Sequence, residues 1–145
     1  MIIQVDNAHN LYDATFQFLL NVGPLTREEF EKCMIILEEV DGQILGCLAW
    51  EHYADSANLT FLAVLEEYRG NGVGTNLLNY FINQKHVSDD ITLNVSANNL
   101  GAIKLYERLG FVKHEFIENH YPDSGEGLYT GDGTNAYQML LPKLQ

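Results

Sequence analysis

The stretch "AVLEEYRGNGVGTNLL" places Gly70, Gly72 and Gly74 within five residues, between two apolar segments of different period. Upstream, "NLTFLAVL" is apolar at most positions, the pattern of a central strand covered on both faces. Downstream, "TNLLNYFINQ" repeats Leu77, Leu78, Phe81 and Ile82 at helical spacing. A buried strand running through glycines straight into a helix directs the chain toward an α/β fold. The same corner has a chemical use. The first turn of a helix carries partial positive charge and N–H groups without intrahelical partners. Glycines let such groups point one way and let a bulky anion touch the backbone, because no Cβ intervenes. Arg69 adds a fixed positive charge at the rim. A merely flexible corner would use the same residues, so the rest of the chain has to decide.

The other periodicities supply the partners of this unit. "NAHNLYDATFQFLLN" puts Leu11, Phe16, Leu19 and Leu20 on one helical face, with Asn7 or Asn10 as the start signal. "GPLTREEFEKC" offers Thr26 as an N-cap with Glu29 three residues on, which predicts a short second helix. "MIILEEV" and "QILGCLAWEHY" are β-rich and meet at Asp41-Gly42, a hairpin signal. "ITLNV" predicts a strand, and "NNLGAIKLYERLG" a helix whose end at Gly110 suits a left-handed cap. "FVKHEFIENHY" and "NAYQMLLP" predict two closing strands around the glycine-rich loop "PDSGEGLYTGDGT". The order ααβββαβαββ describes one α/β domain over residues 1–145, a mixed central sheet flanked by helices.

Composition bounds the partners. The net charge of −12 argues against nucleic acid, which requires Lys and Arg to displace counterions. It suits a cationic partner and obliges any anionic ligand to be attracted locally, although plain solubility explains it as well. Cys33 and Cys47 lie inside apolar runs and read as buried free thiols in a reducing compartment. No basic segment precedes an apolar block near Met1, and no run reaches the length of a membrane span. A cytoplasmic protein without a membrane partner is expected. The histidines, cysteines and carboxylates show no metal-ligand spacing, so no metal is expected.

Among phosphate-binding patterns, a P-loop needs Gly-Lys-Ser/Thr, and no lysine stands between Gly74 and Thr75. A dinucleotide fingerprint needs a glycine at position 75 and an acid ending the next strand, and neither is present. What remains is Arg-x-x-Gly-x-Gly at a strand–helix junction. The later helix then adds Asn-x-x-Ala-x-x-x-Tyr-x-x-x-Gly-Phe, as Asn99, Ala102, Tyr106, Gly110 and Phe111. Taken together at this separation, the two motifs resemble those of the GNAT superfamily of N-acetyltransferases, over about Asn58 to Gln145.

The resemblance implies a GNAT fold with splayed central strands and an acetyl-CoA-dependent N-acetyltransferase. The diphosphate of the coenzyme would rest on the amides of Arg69, Gly70, Asn71, Gly72, Val73 and Gly74, with Thr75 opening the helix. Its pantetheine arm would pair like an extra strand with Leu62, Ala63 and Val64, usually beside a bulge. Asn99 would hydrogen-bond that arm, and Tyr106 would aim its hydroxyl at the thioester sulfur as the catalytic acid. Each residue also has a plainer use: Asn99 is a good N-cap, Ala102 and Phe111 pack, and Tyr106 suits a core.

Acetyl transfer also needs a donor for the oxyanion, which a backbone N–H near Val64 would supply, and a neutral amine. The segment "ENHYPDSGEG…NAYQMLLP" is similar to that of enzymes acetylating protein N-termini, the ribosomal-protein alanine acetyltransferases among them. Those enzymes often carry a Glu or His as base in the strand matching "LNV", where this chain has Asn94, which cannot take a proton. Either water leads to Glu51 or Glu67, or the acceptor amine has a low pKa. An α-amine at about 7.7–8.0 needs less help than a lysine at about 10.4. His52 and His120 are further proton acceptors or structural residues. Tyr121, with Glu51 and Asn94, would border the acceptor groove, whose loops lie around Thr26 and Tyr129. The acceptor is left open between a peptide N-terminus and a small cationic amine such as an aminoglycoside, polyamine or amino acid. A non-catalytic CoA-binding regulatory module fits the same motifs, as either a monomer or a homodimer.

Overall fold

The computed structural model describes residues 1–21, 26–85, 89–121 and 134–144. The chain runs β1 (Ile2–Val5), α1 (Tyr12–Leu20), α2 (Arg27–Glu31), β2 (Met34–Val40), β3 (Gln43–His52), β4 (Ser56–Val64), a 3-10 turn (Glu66–Tyr68), α3 (Val73–Lys85), β5 (Asp90–Ser96), α4 (Leu100–Arg108), β6 (Val112–Tyr121) and β7 (Thr134–Leu141). The seven strands form one sheet in the order β1-β2-β3-β4-β5-β7-β6. Every neighbouring pair is antiparallel except β4–β5, which α3 joins as a parallel crossover. The expected ααβββαβαββ order therefore holds, with β1 as an addition. Among the described residues, no helix is long and apolar enough to cross a membrane.

Local chemistry accounts for the boundaries. Thr26 caps α2 by accepting from the Glu29 N–H at 3.0 Å, and its own hydroxyl donates to the Glu29 carboxylate at 3.1 Å. Asp41 and Gly42 both take positive φ, 51° and 82°, as a type I′ hairpin turn requires. The helix α1 begins at Tyr12, after Leu11 and not after Asn7 or Asn10, with no side-chain cap. The glycine-rich loop between β6 and β7, apart from Thr134, lies outside the described residues, as does Tyr129.

Two apolar layers sandwich the sheet. One packs Leu48, Trp50, Leu59, Leu93 and Met139 against Leu77, Leu78 and Phe81 of α3 and Tyr106 of α4. The other packs Ile35, Leu37, Cys47 and Ala49 against Leu19 of α1 and Phe30 of α2. Gly46 of β3 sets how closely α3 approaches. A Cβ there would stand 2.7 Å from Val73 Cγ1, 3.1 Å from Leu77 Cδ1 and 3.2 Å from the Ala63 carbonyl. Gly46→Ala is therefore expected to cost about 1–3 kcal/mol, in the range of overpacked cores, measured as a lower urea midpoint at unchanged slope.

Candidate active site

The parallel pairing of β4 with β5 stops at Leu59↔Leu93, although both strands continue. Beyond that point β4 remains bonded to β3 as far as Gly46↔Val64, and β5 to β7 as far as Ser96↔Ala136. The two central strands thus splay, each held by its outer neighbour. The cause sits at the fork: Ala49 pairs with Phe61 and Trp50 with Leu59, which leaves Thr60 as the extra residue of a bulge. The bulge also swaps faces, since Ala57 and Leu59 face α3 whereas Phe61 and Ala63 face α1 and α2.

The pleat then decides which backbone groups line the opening. The Leu65 N–H donates to the Leu45 carbonyl at 2.9 Å, so alternation turns Ala63 toward β3 and Leu62 and Val64 toward the gap. Of the three residues expected to pair with an extended ligand, Leu62 and Val64 face the gap and Ala63 does not. The Val64 carbonyl accepts from Arg69 Nε at 3.2 Å, which ties the glycine turn to the end of β4.

At that turn Gly70 and Gly72 adopt φ of +82° and +85°, with open space where a Cβ would stand, so backbone conformation alone requires glycine there. Gly74 differs: its φ is ordinary, and a Cβ would meet only Val64 Cγ2, at 3.6 Å. Among the described residues, nothing demands a glycine at 74. The first helical bond here runs from the Asn76 N–H to the Gly72 carbonyl at 2.9 Å, so the N–H groups of Val73, Gly74 and Thr75 precede the ladder. No acidic residue lies in the first turn of α3. Bare amides, a positive helix end and a bare Cα fit a phosphorylated ligand whose tail enters the neighbouring gap.

The Asn99–Phe111 motif has a local folding reason at both ends. Asn99 caps α4, its side chain accepting from the Ala102 N–H at 3.2 Å. At the other end Gly110, at φ +102°, donates to Glu107, and Phe111 donates to Tyr106, the two bonds of a Schellman motif. Tyr106 is thereby fixed in the last turn, buried, with its ring edge-on to Phe111 at 5.7 Å.

The acceptor-side residues divide. Asn94 is the first residue of β5 beyond the fork; it is exposed and pairs with Gln138. Its neighbours Leu93 and Val95 point into the α3 layer, so Asn94 faces the α1/α2 side. Glu51 lies on that side too, half-buried, opposite Asn58 and accepting from the Tyr53 hydroxyl at 2.8 Å. Tyr121 ends β6 opposite Thr134, at the end of the sheet where β4 and β5 diverge. His120 lies beside it on β6. His52 is placed elsewhere: its Nε2 lies 3.3 Å from the buried Asp89 carboxylate, at the opposite end of the sheet. Glu67 is exposed in the turn beyond β4. A cavity of about 600 Å³ on the α1/α2 side is lined by Asp6, His9, Tyr12, Arg27, Glu31 and Cys33, among others. The structure also adds two residues that no motif singled out. Thr60 makes the fork, and Gly46 seats the helix that carries the anion cradle; an isolated Thr or Gly inside a β-rich run carries no signal of either role.

Comparison with known proteins agrees with this geometry. An N-alpha-acetyltransferase of Sulfurisphaera tokodaii is 28% identical over 130 residues, covering 79% of this chain and 72% of that protein. The [ribosomal protein bS18]-alanine N-acetyltransferase of Escherichia coli strain K12 is 39% identical over 91 residues, covering 61% of this chain and 57% of that one. The crystal structure of the Escherichia coli ribosomal-protein-S18-alanine N-acetyltransferase superposes over 100% of this chain and 96% of its own, with a TM-score of 0.82 at 24% identity. Arabidopsis thaliana Naa50, solved with the bisubstrate analogue CoA-Ac-MVNAL, superposes over 97% of each chain with a TM-score of 0.77 at 21% identity. These two likenesses speak to the fold. The acetyltransferase (GNAT) domain family matches residues 30–113, more than half of the sequence and the stretch from the end of α2 through the fork and the glycine turn to the start of β6. The chain belongs to that family.

Proposed function

We propose that the protein transfers the acetyl group of acetyl-CoA to the α-amine of a peptide or protein N-terminus, with both substrates bound at once. The observation that carries this reading is the fork between β4 and β5, which leaves main-chain groups of both strands facing an opening beside a bare helix N-terminus. Acetyl-CoA supplies an acyl group already activated as a thioester. The amides of Gly70, Gly72, Val73, Gly74 and Thr75 hold its diphosphate, those of Arg69 and Asn71 being spent on the Glu66 and Tyr68 carbonyls at 3.2 and 3.3 Å, and the Arg69 side chain lends charge against the acidic whole. Leu62 and Val64 offer their gap-facing groups to the pantetheine amides, and a backbone N–H there stabilises negative charge on the carbonyl oxygen. Asn99 has a carboxamide beyond its capping bond to steady the same arm. Tyr106 gives a proton to the departing sulfur. Glu51, Asn94 and Tyr121 border the acceptor, which approaches from the α1/α2 side.

Holding both substrates in line supplies much of the acceleration, as expected for a site with few charged groups. The peptide reading draws on the relatives, whose names specify α-amines and a ribosomal-protein alanine, and on the peptide analogue held by the Arabidopsis structure. Two free cysteines suit a cytoplasmic setting. A thiol-release screen against N-terminal peptides, lysine peptides, polyamines and aminoglycosides tests it. Peptides with free α-amines are expected to be turned over fastest. Polyamines or aminoglycosides winning would make it a small-amine acetyltransferase; CoA binding with silence across the panel would make it a regulatory module.

A further inference from the structure

We infer that the Glu51 carboxylate is the proton acceptor for the attacking amine, from its place on the α1/α2 face one cross-strand pair before the fork. This rests on the acetyltransferase reading above. The residue on the wall of the opening that could have served, Asn94, has an amide with no proton affinity near neutral pH, so a general base, where the reaction uses one, is another group. Two carboxylates come into question, and the fold separates them. Glu67 lies past the far end of β4, on the side of the glycine cradle; Val64 alone is roughly 17 Å from Leu59 at about 3.3 Å per strand residue. Glu51 lies at the near end. It pairs with Asn58, and the next residue, Leu59, is the last that β4 pairs with β5.

A polar track connects Glu51 with the opening. Asn58 pairs with Glu51 on one side and Thr92 on the other, and the Thr92 hydroxyl donates to Asn58 Oδ1 at 2.9 Å. Thr92 and Asn94 are two apart on β5 and share its α1/α2 face. Glu51, Asn58, Thr92 and Asn94 thus cross three strands in a band, and directly opposed pairs in such a band bring Cβ atoms to about 4.5–5.5 Å. The inference requires bridging water to carry the proton over the remainder.

The surroundings leave Glu51 able to accept. Among the described residues no Lys or Arg forms an ion pair with it. Among the described residues, the titratable groups that interact with it include Tyr53, whose hydroxyl fixes one carboxylate oxygen, and Cys33 just past α2. Burial, reinforced by the Glu51 charge, pushes the Cys33 thiol up to about 11, so the thiol stays protonated at neutral pH. In the step itself, Glu51 takes one proton from the ammonium and the freed lone pair forms the nitrogen–carbon bond. The carbon–sulfur pair leaves on sulfur, which takes a proton from Tyr106; the second nitrogen proton passes to water as the amide forms, and exchange with water restores Tyr106 and clears Glu51, so one proton is released per turnover.

Glu51→Gln keeps shape and hydrogen bonding while removing the base. With an N-terminal peptide at pH 7, kcat/KM is expected to fall about 100-fold, at the lower edge of general-base effects. The deficit should shrink about tenfold between pH 7 and 9, as the α-amine deprotonates unaided near pH 8. Glu51→Ala should be partly rescued by added formate or imidazole. Calorimetry on the CoA-bound protein adds a readout without turnover: the wild type should prefer a free-amine peptide over its N-acetylated form, and Glu51→Gln should lose most of that preference. A wild-type rate and pH profile in Glu51→Gln would overturn the inference, as would a loss independent of pH and of added base. If the wild-type protein acetylates no amine at all, it is the acetyltransferase reading that fails.

Discussion

Gly74→Glu is expected to yield a protein that melts no lower than the wild type yet no longer responds to CoA. The position is the second residue of α3, with helical backbone, and a new Cβ would make only an ordinary contact with Val64 at 3.6 Å. Replacing a helical glycine recovers about 0.5–1 kcal/mol, and a carboxylate in the first turn adds about 0.3–1 kcal/mol through the helix dipole. The same carboxylate lies over the amides that would receive the diphosphate and repels it. At ligand concentrations near 100 times the Kd, the wild type gains about 2.7 kcal/mol, a rise of several degrees in Tm, and a weakening of 100-fold or more removes nearly all of it. Gly72→Glu would lose the response as well, but at φ +85° it also strains the backbone by about 1–2 kcal/mol, which confounds the measurement. Scanning calorimetry with and without CoA separates the two quantities. A Gly74→Glu protein that still shifts with CoA would show that the coenzyme does not rest on the first turn of α3.

How much of this was legible before folding depends on the range of the interaction involved. The glycine turn, the Asp41-Gly42 hairpin, the Thr26 cap and the Asn99 and Gly110 ends of α4 are fixed by contacts within four or five residues, and all were readable as motifs. The edge strand β1 has four residues, too few for a period to declare itself, and is held by its register with β2 thirty or more residues away. The start of α1 carries no local signal: Asp6 and His9 spend their side chains on the Ala8 and Leu11 N–H groups in the preceding turns, and no side chain caps the helix. Thr60 looks like any strand threonine, yet its bulge reverses the facing of everything after it and turns Ala63 away from the gap. His52 was a candidate base until its contact with Asp89, 37 residues on, tied it to the other end of the sheet.

Tyr106→Phe is expected to lower kcat about 10–1000-fold while leaving the CoA-dependent rise in Tm intact. The substitution removes one oxygen from a residue whose ring position is set by other atoms. The backbone is locked by the Schellman bonds to Gly110 and Phe111, and the edge-on contact with Phe111 survives in phenylalanine. Lost hydrogen bonding should cost about 1 kcal/mol of stability, too little to account for a large kinetic effect. The pH dependence distinguishes proton donation from packing. A thiol leaving group with a pKa near 8.5 needs a proton most at neutral pH, whereas above that value it departs as a stable thiolate. The deficit in Tyr106→Phe should therefore narrow as pH rises past about 8.5, whereas a packing defect would persist at every pH. Together with the Glu51→Gln profile, which should recover near the amine pKa of about 8, the two curves would assign the two proton transfers to opposite sides of the fork. A rate unchanged in Tyr106→Phe, with coenzyme binding preserved, would reduce the tyrosine to a wall of the pocket and require the sulfur to leave unprotonated.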